Sequence, residues 1–357
     1  MGDVKARGAK RKGTLAKRRG APDRRATSYD VARLAGVSQS AVSRVFSAGT
    51  SVSDTMRVRV EAAAKQLGFT PNLLARGLIK QRSNIVALVI TEFTTRYTPQ
   101  ILYHFGIALQ SAGLHLLLFT AESEQPSAEV MAQLLDYPVD GVVSCTTLDD
   151  VRLDRLATRG VPVVLFNRRS DARRISSVQC DHAAASALIA ERLFAAGHRR
   201  FAFVSGPADA PVSRERERGF VEALARHGVK RVAREVGDYG YESGRAAGHA
   251  LARGTARPQA IFCANDVMAC GVLDALRHDA GLRVPQDVTV VGFDDVPEAA
   301  REAYRLTTLR PPLERMVERT IEILQRRIAD PRAVVETVAL AAELVERGSA
   351  RLGAVHA

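Results

Sequence analysis

Between Thr27 and Phe69 the apolar positions recur at short helical spacings, and each run begins with a capping residue. Thr27 is placed to cap a helix with Val31, Leu34 and Ala35 on its inner face. Gly36-Val37 reads as a turn. Ser38 caps a second helix that turns Ala41, Val42 and Val45 inward. Ser53 caps a third, with Val60, Ala63, Ala64 and Leu67 facing in and Gly68 as its stop. The spacing predicts a bundle of three small helices. Residues 71–79 carry one more short helical pattern, with Thr70 as cap and Pro71 in the first turn. Helices under about 12 residues rarely persist unaided in water. Gly77 weakens this one further, by roughly 1 kcal/mol relative to Ala. A conditional helix between two domains is expected there.

After Asn84 the period changes. Near-continuous apolar runs at Ile85–Ile90, His115–Thr120, Gly141–Ser144 and Val161–Phe166 read as strands. A second series follows at Phe201–Val204, Ala260–Cys263 and Val288–Phe293. Helical patterns lie between them, at Gln100–Ala112, Ala183–Ala196, Arg214–His227 and Val267–His278. Such alternation predicts parallel sheets covered on both faces. The stretch is large for one such sheet, so two successive lobes with a cleft between them are expected. Ligands bind open α/β folds at the carboxyl ends of the strands, which would face that cleft.

Composition sharpens this division. The chain has 357 residues, 46% hydrophobic and 25% charged, and a formal net charge of +12. Residues 1–26 hold ten Lys/Arg against two Asp, and residues 27–82 hold eight against three acidic residues. The excess of cations therefore lies wholly before residue 83, and the rest of the chain is nearly neutral. A small basic module on a neutral body suggests a polyanionic partner for the module alone. Residues 1–26 lack an apolar period and read as a disordered basic arm or a solubilising tail. No apolar run approaches the roughly 20 residues of a membrane span, and no leader-like apolar segment follows the first cations. No membrane association is expected. The four cysteines lack CxxC spacing and the eight histidines form no ligand set, so neither a metal nor another cofactor is expected.

Ala32, Gly36 and Val42 stand at the spacing of a helix-turn-helix. The small residue lets two helices approach, the glycine permits the turn, and the valine anchors the second helix on the first. Ser38, Gln39, Ser40, Ser43 and Arg44 then mark the exposed side of the second helix, suited to base edges and phosphates of a major groove.

The segments SYDVARLAGVSQSAVSRVFS and VSDTMRVRVEAAAKQLGFTPNLLARGL resemble the lactose/galactose-repressor family of bacterial transcription regulators. So do VPVVLFNRR, GHRRFAFVSGP, SRERERGF, AIFCANDVMACGVL and VVGFDDV with LTTL, in the family's order. The resemblance runs from about Thr27 to about Gly348. It implies a helix-turn-helix domain joined to an α/β body like that of periplasmic sugar-binding proteins. It also implies a homodimer on a pseudo-palindromic double-stranded operator. Gln39 and Ser40 match base-reading positions, and Tyr29 and Arg44 match positions that touch bases or backbone. Asn72, Ala75 and Leu78 match the hinge helix, with Leu78 as the wedge in the central minor-groove step. In the body, Arg216 matches the arginine that grips the effector and Asp294 the carboxylate that accepts its hydroxyls. Asn265 ends a strand and opens a helix, either as an effector contact or as a plain cap. Asn167 stands where many members carry Asp, and Tyr239 where a relative packs an aromatic ring on the sugar. Phe93 and Ser144 are placed on the opposite wall, with core packing as the other reading. Arg168 beside Asn167 raises an acidic or phosphorylated effector as one reading and an internal ion pair as the other.

The expected organisation is a basic arm over 1–26, a helix-turn-helix domain over 27–69 and a hinge with linker over 70–82. A two-lobed effector-binding and dimerisation domain over 83–348 and a tail over 349–357 complete it. The expected function is a cytoplasmic, nucleoid-associated repressor controlled by a small molecule, a sugar or its derivative. An activator or global regulator of the same family is the alternative. A transport-type binding protein fits poorly, because it would need a leader and no helix-turn-helix. An enzyme fits poorly too, because neither GxGxxG nor GxxxxGK[ST] occurs and no nucleophile–base set stands out.

Overall fold

The computed structural model describes residues 26–46, 51–70, 82–92, 94, 99–169, 175–254, 256–354. The chain divides near residue 80 into two compact units.

In the first unit, α1 (Ser28–Ala35), α2 (Gln39–Val45) and α3 (Asp54–Leu67) start on the caps their sequence signals. Thr27 and Asp30 form a reciprocal capping box. Ser38 accepts from the Ala41 amide at 3.2 Å, and Ser53 from the Met56 amide at 3.4 Å. Gly36 takes φ 64° to end α1, and a Cβ there would meet the Arg59 guanidinium at 2.9 Å. That guanidinium donates to the Ala35 carbonyl, satisfying an end of α1. Val31, Ala32, Val42 and Val60 form the centre of the core. Leu34 does not join it and is 46% exposed. At about 100° per residue, Val31, Ala32 and Ala35 occupy one arc of α1 and Leu34 lies outside it. Leu67, also expected inside, is 37% exposed in the last turn of α3.

The second unit begins with β1 (Ile85–Thr91), α4 (Gln100–Ser111), β2 (His115–Ala121), α5 (Ala128–Asp136) and β3 (Gly141–Ser144). It continues through α6 (Asp150–Thr158), β4 (Val163–Phe166), β5 (Ser176–Cys180) and α7 (His182–Ala195). Then come β6 (Phe201–Ser205), α8 (Pro211–Arg226), β7 (Val232–Val236), α9 (Tyr241–Arg253) and β8 (Ala260–Cys263). α10 (Asp266–Asp274), β9 (Thr289–Phe293), β10 (Thr307–Arg310), α11 (Leu313–Ala329), β11 (Thr337–Leu340) and β12 (Glu343–Val345) complete it.

The strands form two six-stranded sheets, ordered β11-β5-β4-β3-β1-β2 and β12-β10-β9-β8-β6-β7. Among the described residues all pairings are parallel except the edge pair β10–β12. The lobes are not successive, as the sequence pattern suggested. The chain leaves the first sheet after β5, returns for β11 and ends in the second sheet with β12. Three crossing segments therefore join the lobes, at Asp181, around Pro311-Pro312 and at 341–342. Nor is 349–357 a separate tail as far as it is described. Ser349 is fully buried, donates to the Val290 carbonyl at 2.7 Å and accepts from the Thr307 amide at 2.8 Å. Gly353 then bonds the Arg192 carbonyl at 2.9 Å.

Candidate ligand cleft and nucleic-acid interface

α2 buries Ala41, Val42 and Val45, which leaves two adjacent rows of polar residues on its other side. Gln39 and Ser43 form one row and Ser40 and Arg44 the other, each spaced i, i+4. Ser40 and Arg44 are exposed, and Gln39 and Ser43 are half-buried. The Gln39 amide lies 3.4 Å from the Ser28 hydroxyl, so α1 orients it. The Ser38 and Ser40 hydroxyls are 2.9 Å apart. Tyr29, in the first turn of α1, is 72% exposed. The array is polar, donor-rich and cationic, with the chemistry to contact a polyanion. Asn72, Ala75 and Leu78 lie outside the described residues, as do residues 1–25 of the basic arm and Phe93.

In the body, the carboxyl ends of strands from both sheets converge on one cavity with a free volume of ≈ 80 Å³. Its lining includes Asn167, Arg216, Tyr239, Asn265 and Asp294, together with Thr91, Thr94, Glu124, Cys145 and Arg168. Three of these residues take left-handed backbone angles directly after a strand or loop turn: Asn167 at φ 54°, Tyr239 at 69° and Asp294 at 113°. Non-glycine residues rarely adopt such angles, and they cluster where a fold aims side chains at a site.

Arg216 is the hub. It projects from α8, is 3% exposed, and binds the Asp294 carboxylate at 2.9 Å. Its Nη1 donates to the Ala264 carbonyl, and its Nε lies 3.3 Å from His182 Nδ1. The guanidinium also stacks 3.6 Å from the Phe293 ring centre. Burial raises the Asp294 carboxyl above its usual range, while Arg216 opposes that rise. Asn265 caps α10 by accepting from the Met268 amide at 3.0 Å, and it donates to the Tyr239 carbonyl at 3.0 Å. It thereby holds the turn that presents Tyr239. The Tyr239 ring lies against Gly206, where a Cβ would approach it to 2.4 Å. Burial pushes its hydroxyl up to about 12.

On the opposite wall the structure takes the second of the two readings in both places, core packing for Ser144 and an internal ion pair for Arg168. Ser144 is fully buried and turned onto the Thr146 hydroxyl at 2.7 Å, and the cavity is lined by Cys145 instead. Burial pushes the Cys145 thiol up to about 12, so it presents an unreactive apolar surface. Arg168 is not available to an anionic ligand. Its Nε and Nη2 each donate to Glu124 at 2.7 Å, in a bidentate pair that is almost buried. Glu124 escaped sequence reasoning, although its place just past the end of β2 is the positional cue for such a residue. His182 also escaped it, because one histidine at the start of a helical pattern carries no motif.

A profile described as "Bacterial regulatory proteins, lacI family" matches residues 27–72, and one described as "Periplasmic binding protein-like domain" matches 190–350. The ribose operon repressor of Escherichia coli K12 is 33% identical over 330 residues, covering 91% of this chain and 100% of the relative. A Lac repressor dimer bound to operator and the anti-inducer ONPF superposes with a TM-score of 0.82 at 28% identity. It covers 91% of this chain and 99% of that one. The structure of the regulator CelR with cellobiose has a TM-score of 0.66 at 32% identity, covering 91% and 100%.

Proposed function

The chain belongs to the lacI family of bacterial regulatory proteins, and from that premise we propose that it represses transcription until a neutral, polyhydroxylated effector enters its cleft. It is a DNA-binding transcriptional regulator rather than an enzyme, as its relatives are. The observation that carries the proposal is the joining, in one chain, of the polar face of α2 to a cleft floored by Arg216 and Asp294.

Two features favour a neutral effector. Both cleft guanidiniums, Arg168 and Arg216, are already matched by carboxylates. An anion would have to compete with those buried pairs. A sugar instead offers hydroxyls that both donate and accept, and Tyr239 supplies a ring face for its apolar side. CelR, a relative, is seen with cellobiose in its structure. The free volume of ≈ 80 Å³ leaves little room as the lobes stand, so binding is coupled to their separation or rotation.

A homodimer would place two α2 helices on a two-fold operator. The first lobe carries a candidate face for it: Tyr103 and Ile107 of α4 and Leu116 and Leu118 of the edge strand β2 are exposed. Such a regulator works on the chromosome, in the cytoplasm and with the nucleoid. Asn72, Ala75 and Leu78 are assigned to the hinge, and Tyr29, Ser38, Gln39, Ser40, Ser43 and Arg44 to operator contact.

Operator selection with the purified full chain tests the reading, followed by release from the selected duplex under ribose, glucose, cellobiose, gluconate and ribose 5-phosphate. A single palindromic class of sites, released by a neutral sugar, is expected. Equal binding to every duplex, or release only by the anions, would overturn it.

A further inference from the structure

His182 is the first residue of α7, immediately after the chain leaves β5 for the second lobe. It is 1% exposed, and both of its ring nitrogens are engaged across the cleft floor. On one side, Nδ1 lies 3.3 Å from Arg216 Nε, which belongs to the second lobe. On the other, Nε2 lies 2.7 Å from Asn167 Oδ1, at the end of β4 in the first lobe. The ring also packs 5.4 Å from Phe293.

The donor and acceptor roles in this chain follow from one fixed end. An arginine Nε can only donate, so His182 Nδ1 must accept. A neutral imidazole that accepts on Nδ1 carries its proton on Nε2. Nε2 therefore donates to Asn167, and the Asn167 atom facing it must be the carbonyl oxygen. The Cys180 amide points to the same atom at 3.5 Å, which independently requires an oxygen there. Asn167 is left with its NH₂ group. At the other end, Asp294 Oδ1 is taken by Arg216, leaving Oδ2 as an acceptor.

We propose that His182 is a positioning residue that sets the hydrogen-bonding polarity of the cleft, making Asn167 a donor to the effector while Asp294 remains an acceptor. The effector class that fits bears a bare acceptor oxygen, such as a ring or glycosidic ether, toward Asn167 and a hydroxyl toward Asp294. Without His182 only the long Cys180 contact at 3.5 Å would hold an amide that can otherwise present either end. Burial, with Arg216 and Arg168 nearby, lowers the imidazole well below its usual pKa, consistent with a neutral ring. This inference rests on the effector reading of the cleft given above, but its first test does not.

That test is ¹⁵N NMR of histidine-labelled full chain, with His182 assigned by its disappearance in His182→Gln. A neutral ring protonated on Nε2, unchanged between pH 7.5 and 5.5, is expected. A ring protonated on Nδ1, or one that titrates with an ordinary midpoint, overturns the proposal. The second test uses whichever of ribose, glucose or cellobiose shifts the melting temperature of the wild-type chain. Gln can accept from Arg216 and donate to Asn167, so His182→Gln should bind that sugar within about threefold of wild type. His182→Leu should lose roughly tenfold to a hundredfold, since it leaves a buried donor unpaired and frees the Asn167 amide to turn. Circular dichroism checks that both variants fold. Wild-type affinity in a folded His182→Leu, or equal losses in both variants, overturns the proposal. If none of the three sugars binds the wild-type chain, the effector reading fails while the NMR result still decides the tautomer.

Discussion

The two lobes share one strand order, yet they build their halves of the cleft differently. In the second lobe the central guanidinium rises from a helix, α8, and is held by Asp294, the Ala264 carbonyl, His182 and the Phe293 face. Behind it Phe203, Phe220 and Phe262 pack on one another, with ring centres 5.1 to 6.2 Å apart. In the first lobe Arg168 lies past the end of β4, and its partner Glu124 lies past the end of β2. One wall is anchored in a regular element over an aromatic core, and the other is joined by a salt bridge between connections. Connections tolerate sequence change more readily than packed elements do. The first lobe is therefore the wall on which ligand preference is most easily altered, and the second is the fixed reference against which a ligand is held.

The sharpest way to break that contrast is Arg216→Met. It removes four interactions at once and leaves Asp294 without its cation. A loss of about 3 kcal/mol or more is expected in denaturant unfolding of the body, with the sugar response abolished and operator binding retained. If the response survives, the second lobe is not the reference wall. Glu124→Gln should cost less, about 1–3 kcal/mol, because Arg168 keeps the Asn167 carbonyl at 2.8 Å. It should also give the cleft a measurable affinity for gluconate or ribose 5-phosphate in calorimetry, since the guanidinium is no longer neutralised. Unchanged selectivity would count against the first lobe as the adjustable wall.

Gly206→Ala probes the second wall more gently. The added methyl group drives the Tyr239 ring toward the cavity, at a cost of about 1–3 kcal/mol that should appear mainly as weaker sugar binding. The smallest effect is the pH dependence that His182 confers. Its folded pKa lies well below 6.5, so the unfolded chain takes up the proton first. Stability is full above pH 6.5 and declines as pH falls below it, by at most about 1.4 kcal/mol per pH unit. Unfolding at pH 7.5 and 5.5 should show that decline in the wild-type chain, and His182→Gln should remove this component.

The elements most legible along the chain were those whose stabilisation is local or uniformly apolar. Thr27, Ser38 and Ser53 cap helices in sequence order, and β3 and β8 begin and end where their apolar runs do. β5, β7 and β10 were not legible. They read SSVQC, VAREV and TTLR, and their polar residues find partners only once neighbouring strands and loops are in place. Ser176, for example, accepts from the Glu336 amide at 3.1 Å, 160 residues away. Leu34 shows the opposite failure, since an apolar residue at a plausible spacing faces outward when the helix has only one packed arc.

The sequence by itself determined the basic module, the helix-turn-helix caps and the alternation of strands with helices, because each depends on residues close together in the chain. It also placed Asn265 and Asp294 directly after strands, where a fold of this kind collects ligands, whereas Asn167, Arg216 and Tyr239 were marked only by the family resemblance. Only the tertiary structure decided that the lobes are crossed three times, that Glu124 neutralises Arg168, and that His182 links Asn167 to Arg216. Those outcomes depend on which buried charges and hydrogen-bond donors meet across long stretches of chain, and no local pattern encodes the partner.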